Sequence, residues 1–272
     1  MSTLPDGLHV VEHRGDQGDP SNGASPTPTV VLVHGSLDRG ASFARTVRRL
    51  DDLHVVTYDR RGYHHSRAMP LARSLGEHIA DLVAVVGDGP AVVVGHSYGG
   101  AVALGAAVQA PEVIGAVGAY EPPMPWTPWW PRRTASNIAD EDPATFAEGF
   151  FRRVVGGAGW DRLSEQARAD RHADGPALVA ELADLRRTVA PFDVTELRVP
   201  LVLGRGGKSV WHHRRAIDAL VELVPEAEVI EIPGSAHGAQ LSHADAFAAL
   251  VRRVVERAMG APFKASATPV QD

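Results

Sequence analysis

Ala91-Val92-Val93-Val94-Gly95-His96-Ser97-Tyr98-Gly99-Gly100-Ala101 is the stretch from which the rest of the chain can be read. Three consecutive valines are a β-branched run of the kind that forms a buried strand. The residues after Gly100 are small and Ala-rich, as in a helix packed tightly on a sheet. The chain therefore turns sharply between them, with Ser97 at the apex and a glycine two residues to either side. This is the G-x-S-x-G pattern in its strand–turn–helix setting. Such a turn holds the serine in a strained backbone conformation and presents its Oγ at the sheet edge.

Outward from that stretch, apolar runs and amphipathic segments alternate. Strands are expected over 8–13, 29–33, 53–58, 114–120, 199–203 and 228–232. Helices are expected over 43–50, 75–86, 210–224 and 245–259. That rhythm predicts an α/β fold: a mostly parallel central sheet covered by helices on both faces. It breaks between Pro122 and Ala190, where helical periodicity dominates, with main helices over 142–155 and 166–189. We read 1–121 and 191–260 as two parts of one core domain, 122–190 as an inserted helical lid, and 261–272 as a disordered tail. The segment 15–28, rich in Gly, Asp, Ser and Pro, reads as a surface loop.

Composition narrows the function classes. The 272 residues carry a net charge of −6 with no basic patch, which argues against nucleic acid as a partner. There is no cysteine, and no group of histidines and carboxylates has metal-ligand spacing, so neither metal nor other cofactor is expected. No apolar stretch is long enough to span a membrane, and the N-terminus lacks a signal-peptide pattern. A cytoplasmic protein is the resulting expectation, with its oligomeric state left open.

A serine needs a base within hydrogen-bond reach, itself oriented by a carboxylate. His237, in Pro233-Gly234-Ser235-Ala236-His237-Gly238 after the last strand, falls on the same sheet edge as Ser97. His34 and His96, at strand ends, read as loop-orienting or space-filling residues; His54, His212, His213 and His243 read as surface. Together with His34-Gly35, Asp59-Arg60-Arg61-Gly62 and the lid-sized insertion, these features make the chain resemble the α/β-hydrolase superfamily over about 29–259. That resemblance implies an oxyanion hole made by the backbone N–H groups of Ser36 and Tyr98.

In the commonest pattern of that family an aspartate follows the strand after the lid. Here the loop reads Gly204-Arg205-Gly206-Gly207-Lys208-Ser209, with Ser209 where the aspartate is expected. Asp218 lies too deep in the next helix, and Asp193 and Glu196 lie at the opposite sheet edge. Glu121 remains, directly after Tyr120 and before two prolines that fix its backbone. It is either the acid of a Ser97–His237–Glu121 triad or a residue that caps the lid or pairs with an arginine. Trp126, Trp129 and Trp130 either line a substrate pocket or pack the lid. The expected activity is a cofactor-free serine hydrolase acting on a small-molecule ester, or on an amide or thioester, through an acyl-enzyme. Acyl transfer to another acceptor and a turnover-deficient small-molecule receptor are the alternatives.

Overall fold

The computed structural model describes residues 3–15, 27–131 and 141–260. Seven strands form one sheet in the order β1-β3-β2-β4-β5-β6-β7. They are β1 (Val10–His13), β2 (Thr29–Val33), β3 (Val55–Tyr58), β4 (Ala91–His96), β5 (Ile114–Tyr120), β6 (Leu201–Gly206) and β7 (Glu228–Ile232). Only β1 runs antiparallel, against β3; the other pairings are parallel. Because strand side chains alternate between faces, each buried strand feeds two cores. Val31, Val33 and Val93 pack under α2 (Leu75–Val86), α3 (Tyr98–Gln109) and α8 (Trp211–Leu223). Val30, Leu32, Val92 and Val94 pack with Phe247, Leu250, Val251 and Val254 of α10 (Ala244–Ala258). A strand buried on both faces needs an apolar residue at every position, which is why β4 reads as unbroken valine.

The small residues of α3 let it sit low on the sheet. A Cβ on Gly105 would stand 2.4 Å from Ile79 Cδ1 of α2, so the missing side chain makes room for the Ile79 side chain where the two helices meet. Where a helix was expected over 43–50, a 3₁₀ turn (Gly40–Phe43) runs into the short α1 (Ala44–Val47).

Between β5 and β6 lie α4 (Pro143–Val154), α5 (Gly157–Asp161), α6 (Glu165–Ala173) and α7 (Gly175–Asp184). Of these, α4, α5 and α7 share a small core of Phe146, Ala147, Phe151, Trp160 and Leu178, which also takes in Leu37 from the loop after β2. The helix expected over 166–189 is broken at Asp174. Pro176 cannot donate to the preceding turn. The Asp174 carboxylate instead accepts from His64 N–H at 3.0 Å and Arg67 Nε at 2.9 Å. The glycine-rich α5 carries too little apolar periodicity to be foreseen. The expected disordered tail and most of the N-terminal loop lie outside the described residues, as does 132–140 of the insertion. Among the described residues no helix is long and apolar enough to cross a membrane.

Candidate active site

Ser97 sits between β4 and α3 with φ +54° and ψ −125°, in the left-handed half of backbone space that side chains normally avoid. The flanking glycines explain how it stays there. A Cβ on Gly95 would lie 2.0 Å from Gly99 O, and one on Gly99 would lie 2.3 Å from Val33 O. Ser97 N–H donates to Tyr120 O at 2.8 Å, which ties the turn to the end of β5. The Ser97 side chain is half-buried.

The end of β5 does two further things through adjacent residues. Tyr120 OH stands 2.8 Å from Ser235 Oγ and donates to Ala236 O at 2.9 Å, so it holds the loop that carries His237. Glu121 is fully buried, at φ +47°. Its Oε1 accepts the Gly206 N–H at 2.7 Å and its Oε2 lies 2.7 Å from His237 Nδ1. A carboxylate only accepts, so Nδ1 carries the proton and His237 Nε2 is left with its lone pair. The sequence thus placed three residues on one sheet edge, and the structure brings Glu121 and His237 into direct contact. Among the described residues no hydrogen bond joins Ser97 to His237. The link between the two segments is made by His96, the residue before Ser97, whose Nε2–H donates to His237 O at 2.8 Å. Gln240 Nε2 donates to His96 Nδ1 at 3.2 Å and so fixes that tautomer.

His237 lies in a slot between two other imidazoles. The His96 ring is 4.8 Å away and tilted by 46°; the His213 ring is stacked at 4.2 Å and 16°. The reading of His213 as a surface residue is therefore corrected. It lies in the first turn of α8, which the fold carries up against the His237 loop, and no local pattern announces that meeting. Burial, and then the neighbouring His237, push the His213 pKa down to about 2. The same causes hold His96 well below the usual histidine range.

Ser36, in the loop after β2, and Tyr98, the first residue of α3, flank the serine. A Cβ on Gly35 would touch Ser97 Cβ at 3.0 Å, which places the loop after β2 directly beside the Ser97 turn. Neither Ser36 N–H nor Tyr98 N–H bonds to another group among the described residues. The Ser36 hydroxyl donates to Glu181 Oε2 of α7 at 2.8 Å. Glu181 also takes an ion pair from the buried Arg60, whose Nε and NH2 donate to His34 O and Gly35 O at 2.9 Å each. His34 accepts Arg60 N–H at Nε2 and donates from Nδ1 to Gly35 O, with its pKa lowered to about 3 by burial and by Arg60. His34, expected to orient a loop or fill space, and Arg60 thus hold the loop after β2, and Glu181 joins that loop to the insertion.

The three tryptophans divide. Trp126 lines an apolar cavity of about 370 Å³ with Ala101, Leu104, Pro122, Met124 and Leu220. Ser97 and His237 are not in its wall, although Pro122 directly follows Glu121. Trp129 packs under the Arg215 guanidinium at 5.5 Å, and Trp130 meets His212 and His213 edge-on. These two therefore brace α8 and not the helical insertion, whose own core uses Trp160. Asp218 pairs with Arg205 at the surface, and Asp193 accepts from Thr195 N–H.

Linear spacing shows no metal site, but the fold gathers two groups whose ligand atoms lie within 4.8 Å of one another: Glu121 with His213 and His237, and His9 with Asp59 and His65. In the first group the two rings are nearly parallel. A metal 2.0 Å from one ring nitrogen and in that ring's plane would lie well out of the plane of the other, so this pair does not suit a shared ion.

A sequence model described as the Alpha/beta hydrolase family matches residues 30–250. The chain is 28% identical over 249 residues to pimeloyl-(acyl-carrier protein) methyl ester esterase of Xanthomonas axonopodis pv. citri, covering 84% of this chain and 95% of that one. It is also 28% identical over 269 residues to polyketide synthase ThaQ of Burkholderia thailandensis. That match takes in 90% of this chain but 12% of the synthase, so the likeness is to one segment of a much longer protein. Among solved structures, a thermophilic esterase from Thermogutta terrifontis superposes with a TM-score of 0.72 at 19% identity, over 94% of this chain and 97% of that one.

Proposed function

Because the chain belongs to the alpha/beta hydrolase family, we propose that it hydrolyses a small-molecule ester through an acyl-enzyme on Ser97. The observation that carries this reading is the 2.7 Å contact between Glu121 Oε2 and His237 Nδ1, on the same sheet edge as the strained Ser97 turn. The esterase name of a relative aligned over most of both chains supports an ester as the bond cleaved.

In this mechanism Glu121 holds His237 in the tautomer whose Nε2 accepts the Ser97 Oγ proton as the oxygen attacks the acyl carbon. The negative charge that develops on the carbonyl oxygen meets the free N–H groups of Ser36 and Tyr98. These are oriented before reaction and cost no reorganisation. Glu121 stabilises the imidazolium, which then protonates the departing alkoxide. Water enters, gives its proton to Nε2, and attacks the acyl-enzyme to release the acid and restore Ser97. His96 and His213 stay neutral, so His237 is the one imidazole of the three that takes up the proton. His213 is a positioning residue in this scheme, covering one face of the ring.

The helices of 122–190 act as the cap of the site. Glu181 and Leu37 join them to the loop that supplies the Ser36 N–H, so the shape above Ser97 depends on the insertion. Core segments 1–121 and 191–260 supply the reacting groups. A panel of p-nitrophenyl esters of rising acyl length tests the reading. Hydrolysis by the wild type and its loss in Ser97→Ala are expected. Failure of the folded wild type on every ester, or undiminished rates in Ser97→Ala, refutes it.

A further inference from the structure

We propose that His9, Asp59 and His65 form a binding site for a divalent transition-metal ion of the zinc class, separate from the Ser97 site. A ring nitrogen of each histidine and a carboxylate oxygen of Asp59 lie within 4.8 Å of one another. One of these separations, His65 Nδ1 to Asp59 Oδ2, is 3.0 Å. Ligand bonds of about 2.0–2.1 Å in a tetrahedral site put neighbouring donors roughly 3.3 Å apart, so this separation is close to the spacing an ion needs. The rings of His9 and His65 are 4.4 Å apart and tilted by 53°, which lets their in-plane lone pairs converge. That tilt separates this group from the stacked His213–His237 pair.

The scaffold holds these donors before any ion arrives. Ser66, fully buried, accepts His9 N–H at 2.9 Å and donates to Asp59 O at 2.7 Å, so one hydroxyl fixes the backbone of both ligands. Asp59 N–H also donates to His9 O at 3.0 Å. The carboxylate is itself oriented by outer partners. Oδ1 accepts Gly40 N–H at 2.8 Å, and Oδ2 is met by His64 Nδ1 at 3.1 Å as well as by His65. Hydrogen-bonded carboxylates of this kind are what surround bound metals. The nearby cations are already matched: Arg39 by Asp170 and Arg67 by Asp174. Their charge is therefore not left facing an incoming dication.

Binding needs no loss of protons from neutral rings. The His65 Nδ1 proton now shared with Asp59 shifts to Nε2, which is free to face water because the side chain is 58% exposed. Nδ1 then gives its lone pair to the metal. The fourth position belongs to water. Once bound, the ion clamps the start of β1, the end of β3 and the turn at 64–66 to one another.

The test uses the metal-free full chain and does not depend on its enzymatic activity. Titration with Co²⁺ is expected to give one equivalent of the visible absorption of low-coordinate cobalt, displaced by Zn²⁺, and Zn²⁺ is expected to raise Tm. His9→Ala and His65→Gln should each weaken binding roughly tenfold or more, and the double variant should abolish it. His213→Ala should bind as the wild type does. Circular dichroism checks that each variant is folded, and the exposed His65 makes its variant the safer of the two. Absence of the cobalt band and of any Zn²⁺-induced rise in Tm overturns the proposal. So does equal affinity in His65→Gln, and so does loss of the band in His213→Ala, which would place the ion at Glu121.

Discussion

His213 lies flat against His237, with ring centroids 4.2 Å apart and planes 16° apart. Its buried Nδ1 has no hydrogen-bond partner. What it supplies to His237 is therefore a flat surface. His213→Phe keeps that surface, and kcat should stay within a few-fold of the wild type. His213→Ala opens space beside His237 and should lower kcat by about tenfold or more with little change in KM. Equal losses in both variants would show that the ring's nitrogens matter instead.

A fluorophosphonate should label Ser97 and no other residue, because the proposed mechanism makes its Oγ the nucleophile and His237, held by Glu121, its base. Ser97→Ala should lose the label and turnover together while keeping its Tm. Peptide mapping of the adduct decides this, and label on any other residue counts against it.

Glu121→Gln should lower kcat by roughly 10³ to 10⁴ without unfolding the chain. The Gly206 N–H would keep a carbonyl oxygen at Oε1, turning the amide NH₂ toward His237 Nδ1. That forces the proton onto Nε2, the nitrogen that must accept from Ser97. Asp218→Asn and Asp193→Asn remove only a surface ion pair and a turn contact and should cost little. Assay of the three side by side on one ester separates the carboxylates.

Glu181→Ala should be the most destabilising single change in the insertion. It leaves the Arg60 guanidinium, 1% exposed, without its anion, and loss of one partner from a buried pair costs about 3–5 kcal/mol. The Ser36 hydroxyl loses its acceptor at the same time. Urea midpoints measure the loss. A shift of well under 1 kcal/mol would mean that Arg60 finds another acceptor.

Stability should fall as the pH drops below about 6.5. His34 and His213 have folded pKa values near 3 and 2, and His78 and His96 are also held well below the ordinary histidine range, in each case chiefly by burial. A depressed pKa means that the unfolded chain binds protons the folded chain refuses. Each such histidine then takes away up to about 1.4 kcal/mol per pH unit below the unfolded value. Urea midpoints should plateau above neutrality and decline steadily below about pH 6. His213→Phe should decline less steeply, and a flat profile down to about pH 5 would contradict the assignment.

Much of the fold was legible because it rests on local pattern. The bounds expected for β2, α2, β5 and β7 match the structure residue for residue, since each is an apolar or amphipathic run between turn formers. The meeting of Glu121 and His237 was legible for a related reason: Glu121 directly follows β5 and His237 lies in the loop after β7, and such strand ends of a parallel sheet share one edge. What escaped the sequence are pairings made by side chains far apart along the chain. Ser36 and Glu181 are 145 residues apart, and His237 meets His213 through the packing of α8. The His9–Asp59–His65 group is assembled from β1, β3 and the turn after it, and so has no spacing signature. The break at Asp174 depended on its contacts with His64 and Arg67, which helical periodicity does not encode.

The bond from Gly206 N–H to Glu121 Oε1 has a consequence for how this chain can vary. The acid is delivered by one strand, and its neighbour steadies it with main chain alone. Changing the Lys208 side chain leaves that amide in place, and leaves the Lys208 N–H donating to Ser235 O at 2.8 Å in the loop that carries His237. Under the proposed mechanism the loop after β6 contributes to the site through its main chain, so its side chain at 208 can vary while the hydrogen bonds that set Glu121 and the His237 loop persist.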